Sequence, residues 1–483
     1  MGWLSVGAES GSIMSSKKTK SSASIPTSVT ARGLEFLKMG AKFAAQARPL
    51  SEGVASLFND KKTSDAEGSL NQDLARRLAQ ARILVEGLSK LKGAAMKLGQ
   101  TVSVELRDLL PPEVVEALSQ LQDQGTPLSS AEVRRILVNE WGPRSGATVA
   151  QGQARLNGLE SWGEAPLASA SIGQVHAARI AGSDVVLKVQ FPGIGDTIES
   201  DIRGLGLLLR GFFSVTGRAV DVEPLLEELG SVFRQETDYL SEAAFLKEYA
   251  DGIAAFSGYR VPSVFSEWST SRVLVMSRER GLRPLDWLRL RQPPASVRNA
   301  VGQRFLDLYE IEFFRMGLVQ TDPNFANFLI DDSHDRENPV ITLLDFGAMK
   351  RFDPIFRSQY RELLRAARSD EKDLILERAF EMGILRRDEC LEAQEALVKL
   401  LRASLSPFDP RNQPFAFTDA EYARQMRELG FALAKACRTS PPPRAILFLH
   451  RKLGGIFNLL KAMEVTLDLT SYWNRIVQSP PSV

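Results

Sequence analysis

At 483 residues, with 44% hydrophobic and 25% charged side chains, the chain exceeds the size at which one core stops growing and has the composition of a folded, multi-lobed protein. A net charge of +1 without any aromatic-studded basic run argues against nucleic acid as a partner. Two cysteines, Cys390 and Cys437, cannot build a disulfide framework, and the scattered His176, His334 and His450 offer no zinc spacing.

Residues 1–30 are rich in Ser, Thr, Gly and Lys, the composition of a disordered tail. In the following segment, 31–70, Phe36, Gly40, Phe43 and Ala47 recur at helical spacing. The first fifty residues hold seven Lys or Arg against two Glu, a net charge of +5. Such a segment suits an anionic membrane surface, and equally a helix docked on the protein with its charged face in water. No stretch reaches the roughly 18 apolar residues of a spanning helix; the best, Gly204 to Val215, is broken by Arg210. Without a secretory signal pattern, the expected location is cytoplasmic or peripheral at the inner face of a membrane.

A helical extension is expected over 71–125. Its first helix covers 72–105 and stops before Pro111-Pro112; a second runs from Pro112 to Gln124. Residues 126–284 read as a smaller mixed lobe, with a hairpin that begins near Ala168, turns at Ala181 to Asp184 and returns over Val185 to Gln190. Residues 285–475 read as a helical lobe with short strands near 328–330 and 341–344. The fold class expected is α+β.

Three groups carry chemistry in a fixed order. Lys188 ends V-V-L-K late in a strand, the place where a kinase lysine grips the α and β phosphates. Asp322 and Asn327 sit in Q-T-D-P-N-F-A-N, the spacing at which an Asp orients an attacking hydroxyl and an Asn holds magnesium. Asp345 opens D-F-G after the apolar run Val340 to Leu344, eighteen residues past Asn327; its carboxylate suits a second magnesium position. Taken singly, these are an edge lysine, an ordinary Asp-Pro turn and a chance tripeptide. Together, in order, they point to a kinase-like site for Mg-ATP.

On these motifs and four further signs, the chain over about 85–475 resembles the UbiB family of atypical kinase-like proteins, and within it the coenzyme Q biosynthesis kinase branch. The signs begin with K-L-G-Q at Lys97, Gly99 and Gln100, similar to the family's K-x-G-Q motif. The run Ala168-Ser169-Ala170-Ser171, leading into Gly173 and Val175, stands where other kinases have a glycine-rich phosphate loop. Glu236-Thr237-Asp238 resembles E-x-D. Finally, P-P-P-R and L-H-R-K-L-G-G lie near the C-terminus. The resemblance implies that Glu242 pairs with Lys188, that Glu236 and Asp238 face the K-x-G-Q helix, and that this helix crosses the cleft and disfavours protein substrates. Residues two apart share no helix face, so Glu236 and Asp238 require a break in the helix to act together.

The implied function is an atypical kinase or ATPase supporting ubiquinone biosynthesis. Its expected partners are a lipid or quinone precursor and the enzymes that handle quinone intermediates. Departures from the wider family are a Thr in place of the His that often precedes the catalytic Asp, and the lack of two C-terminal spans. Rival readings are a small-molecule kinase of the aminoglycoside or choline type and a nucleotide-gated scaffold without turnover.

Overall fold

The computed structural model describes residues 128–478, apart from 170–171, 216–221, 323, 370 and 438–442. The tail, the amphipathic segment, the helices expected at 72–105 and 112–124, Lys97, Gly99, Gln100, Ala170 and Ser171 lie outside the described residues.

Helices α1 (Ser130–Trp141) and α2 (Val149–Asn157) each open on a capping box, Ser129 with Glu132 and Thr148 with Gln151. Both reciprocal bonds satisfy amides that the first turn leaves without helical acceptors. An antiparallel sheet follows, formed by β1 (Ser161–Trp162), β2 (Ala168–Ser169), β3 (Gly173–Ile180), β4 (Ser183–Gln190) and, beyond the two-residue β5 (Tyr259–Arg260), β6 (Val273–Ser277). Its order is β1-β3-β4-β6, with β2 also on β3. Ala181 and Gly182 close the β3–β4 hairpin at φ 47° and 78°, the left-handed pair whose twist suits a two-residue turn.

Strand alternation divides β4 between two layers. Val185, Leu187 and Val189 pack with Val133, Leu137 and Trp141 of α1. Val186 joins the main core on the opposite face, the side that Lys188 shares. The hairpin expected to begin near Ala168 begins instead at Gly173. Ala168 and Ser169 fold back as a separate strand opposite Val175 and Gln174. A Cβ on Gly173 would lie 2.4 Å from the Val189 carbonyl oxygen and 2.9 Å from the Tyr239 hydroxyl, so the start of β3 requires glycine at this spacing.

Helices α3 (Ile194–Val215), α4 (Glu223–Glu236) and α5 (Tyr239–Ile253) follow, and their buried residues share the main core with Val186, Leu274 and Met276 of the sheet. The chain then becomes mainly helical: α6 (Pro284–Arg291), α7 (Ala295–Glu310), α8 (Pro354–Ala367), α9 (Lys372–Glu381), α10 (Leu391–Ser404), α11 (Ala420–Ala436), α12 (Arg444–Ala462) and α13 (Thr470–Gln478). A π-helical turn, Ile311–Met316, continues α7. Set among these helices, β7 (Leu318–Gln320) pairs with β10 (Met349–Arg351), and β8 (Phe328–Asp331) pairs with β9 (Val340–Leu343), which also takes β5 in parallel. A last pair joins β11 (Phe415–Ala416) to β12 (Thr466–Leu467). Sequence patterning located β8 and β9 but not β7, β10, β11 or β12. Two or three residues show no alternation, and these are held extended by partners far along the chain.

Candidate active site

Lys188 enters the cleft from β4, with its side chain 10% exposed. Its ammonium donates to both Glu242 oxygens, at 2.7 and 2.9 Å, and lies 3.5 Å from Asp345 Oδ1. Glu242 stands in the first turn of α5, which Asp238 caps by accepting a hydrogen bond from the Leu240 amide. The helix break is therefore at this motif: Glu236 ends α4, Thr237 turns the chain and Asp238 starts α5. Glu236 is buried and Asp238 is exposed.

Electrostatics around the lysine follow from this crowding. Burial opposes its charge, yet Asp345 and Glu242 outweigh that penalty and leave the Lys188 pKa well above its ordinary value. Burial pushes the Glu242 carboxyl up to about 7, against the pull of Lys188. The Tyr239 ring lies 5.2 Å from the Lys188 ammonium, a cation–π contact that also shields the pair from water.

Below the sheet, β7 leads into the Asp322 loop and β8 leads out of it. Thr321 is tied to the Ala348 carbonyl through its amide at 2.9 Å and its hydroxyl at 2.8 Å, so the loop is fastened to the residue after D-F-G. The Asn327 side-chain amide donates to Asp322 Oδ2 at 3.0 Å. The Leu344 amide donates to the Asn327 carbonyl at 2.9 Å, which brings Asn327 beside the start of D-F-G. Asp345 is itself steadied by the Gly347 amide at 3.0 Å, and its side chain is 34% exposed. The Asp345 carboxylate and the Asn327 carboxamide carry oxygens of the kind a hard divalent cation takes, and magnesium commonly takes one or two protein oxygens together with phosphate oxygens.

A cavity of about 390 Å³ adjoins Asp322, lined in part by Glu236, Phe245, Gly347, Arg444, Phe448 and Arg451. Arg451 Nη2 approaches Asp322 Oδ1 at 3.9 Å. The sequence reading did not assign Arg451 or Tyr239. L-H-R-K was the only signal for the first, and Tyr239 follows E-x-D directly. The structure thus brings Lys188, Glu242 and Asp345 together, and Asp322 with Asn327. It sets Ala168, Ser169, Gly173 and Val175 on the fold-back of β2 and β3.

A strand lysine fixed by a helix glutamate, above two loops supplying Asp, Asn and a D-F-G aspartate, defines a protein-kinase-like fold of the α+β class. A family model described as the ABC1 atypical kinase-like domain matches residues 120–379. The rat protein "Atypical kinase COQ8B, mitochondrial" is 31% identical over 409 residues, 84% of this chain and 74% of that one. The yeast protein "Atypical kinase COQ8, mitochondrial" from Saccharomyces cerevisiae is 28% identical over 465 residues, 95% of this chain and 87% of its own length. The solved complex of Rv3197 with erythromycin from Mycobacterium tuberculosis matches 86% of this chain and 100% of that chain with a TM-score of 0.57 at 23% identity, a likeness of fold. The chain belongs to the ABC1 atypical kinase-like family. It is an atypical kinase or ATPase, and the family implies ATP use. Among the described residues, no helix is long and apolar enough to cross a membrane.

Proposed function

We propose that this chain binds Mg-ATP between the sheet and the helical lobe and supports coenzyme Q biosynthesis, hydrolysing ATP or phosphorylating a small or lipid-like acceptor. The observation that carries the reading is Lys188, held at 2.7 Å by Glu242 and 3.5 Å from Asp345. In this reading Lys188 binds the α and β phosphates while Glu242 fixes its position. Ala168 to Ser171, with Gly173 and Val175, cover the phosphates, and the Cβ atoms of the Ala and Ser residues limit how closely that backbone approaches.

Asp345 and Asn327 would hold magnesium, which when bound would neutralise phosphate charge. Asp322 orients the attacking hydroxyl or water, and the Asn327 amide fixes the rotamer of that carboxylate. Lys97, Gly99 and Gln100, set against Glu236 and Asp238, would regulate access of the acceptor. The quinone link comes from the names of the rat and yeast relatives together with the family resemblance. A lipid or quinone precursor, quinone-pathway enzymes and an anionic membrane surface are the partners in this reading.

The test is ATP turnover by the full chain, alone, with anionic liposomes, and with phenolic quinone precursors added to them. Stimulation by the precursor-loaded liposomes is expected. Turnover indifferent to both additions would sink the lipid-linked part of the reading.

A further inference from the structure

Behind the Asp322 loop lies a second charge cluster, closed to solvent. Lys452 of α12 and Glu312 have side chains 1% and 0% exposed, with Nζ 3.0 Å from Oε2. The same ammonium donates to Gln320 Oε1 at 3.1 Å. Glu312 Oε1 accepts from the Tyr249 hydroxyl at 2.8 Å and from the Gln320 amide at 3.4 Å. Glu312 lies in the π-helical turn, an irregularity that recurs at functional sites because it re-aims one side chain.

Each arm of this cluster ends beside a segment of the phosphoryl-transfer site. Gln320 is two residues before Asp322, and Tyr249 lies two turns along α5 from Glu242. The Tyr249 ring packs edge-on against Phe346 of D-F-G, with centroids 5.1 Å apart. Lys452 lies 5.5 Å from the ring of Phe328, the residue after Asn327. Lys452 also adjoins Arg451, the neighbour of Asp322.

Two desolvated charges contribute little to folding compared with apolar groups of the same size, but they fix distances and angles sharply. We propose that Lys452, Glu312, Gln320 and Tyr249 form a buried clamp setting α5, the Asp322 loop and D-F-G in mutual register, with Lys452 a positioning residue for phosphoryl transfer. The inference rests on the reading of Asp322 given above.

The experiment compares full-length wild type with Lys452→Met, Lys452→Met/Glu312→Leu, Tyr249→Phe and Asp322→Asn. Melting temperature, the Mg-ATP dissociation constant, kcat and KM are measured for each. Lys452→Met alone strands a buried carboxylate and loses both stability and turnover. The double variant removes both charges and regains the melting temperature, because an apolar pair tolerates burial. Its kcat stays down by about tenfold or more, since small misplacements of reacting groups are costly. Its KM and dissociation constant for Mg-ATP stay within about twofold of wild type.

Wild-type kcat in the stable double variant would overturn the clamp. Should that variant not fold, Tyr249→Phe decides: a several-fold lower kcat at unchanged nucleotide affinity supports the clamp, and an unchanged kcat overturns it. Asp322→Asn is scored separately. Unchanged turnover there removes the Asp322 assignment, whereas turnover lost there but kept in the double variant removes the clamp alone.

Discussion

Lys188 sits between two carboxylates with different tasks, and their exposures differ accordingly. The Glu242 side chain is 1% exposed and engages the ammonium through both oxygens. That of Asp345 is 34% exposed and remains available to a cation. Asp345→Asn should therefore strongly weaken the thermal stabilisation given by magnesium with ATP, since a hard cation needs the carboxylate charge; an undiminished shift in the variant would refute the assignment. Glu242 also sets a pH dependence. Its carboxyl titrates near 4.5 in the unfolded chain and near 7 when folded. Between those values the unfolded chain releases its proton first, so this group's contribution to stability falls as pH rises from 4.5 to 7 and is level beyond. Wild type should lose stability relative to Glu242→Gln across that window, as read from urea midpoints at pH 5, 6, 7 and 8. A difference that does not vary with pH would contradict the shift.

Elements deliver these groups through caps and turns more than through propensity. Asp238 caps α5, and the break after α4 leaves Glu236 lining the cavity beside Asp322 while Asp238 is exposed. The β3–β4 turn sets the register that places Lys188 opposite Val175. Ala181 occupies the first left-handed position of this turn at φ 47°, a conformation that alanine tolerates poorly and asparagine better. Ala181→Asn should stabilise the protein by about 0.5–1 kcal/mol without altering nucleotide affinity. Denaturant midpoints and a Mg-ATP titration check both parts, and loss of stability would place the turn in another conformation. Gly173→Ala should do the reverse, forcing β3 away from Val189 and Tyr239 and weakening nucleotide binding along with stability.

At the scale of the molecule, the site lies where the sheet, α5 and the short strand pairs of the helical part meet. Phe346, Tyr249 and Phe313 are buried in one continuous core beneath it. Lobe position and loop position are thereby linked through packed side chains. The +5 charge of residues 1–50 lies outside this described body. Basic residues near an anionic surface contribute about 1 kcal/mol each, so deleting residues 1–50 should reduce co-sedimentation with anionic liposomes, most clearly at low salt. Nucleotide binding by the core should persist. Equal liposome binding by both forms would remove the membrane role from this segment.

Reading the sequence alone determined the class of the molecule, because local chemistry at fixed spacing survives without coordinates. V-V-L-K, D-P-N-F-A-N and L-L-D-F-G each need only a strand or a loop to be meaningful, and their order along the chain supplied the rest. The α+β class was likewise legible from the β-branched run at 185–190 and the helical periodicity after 285. What only tertiary structure decided is which charges meet. Glu242 reaches Lys188 across 54 residues, and Lys452 reaches Glu312 across 140. Arg451 nears Asp322 from α12, a contact that the helical pattern of 285–475 does not contain. The brief strands β7 and β10 exist only by pairing with each other. Long-range partners leave no local pattern, since a buried ion pair is selected by the space two distant segments enclose and by the desolvation that space imposes.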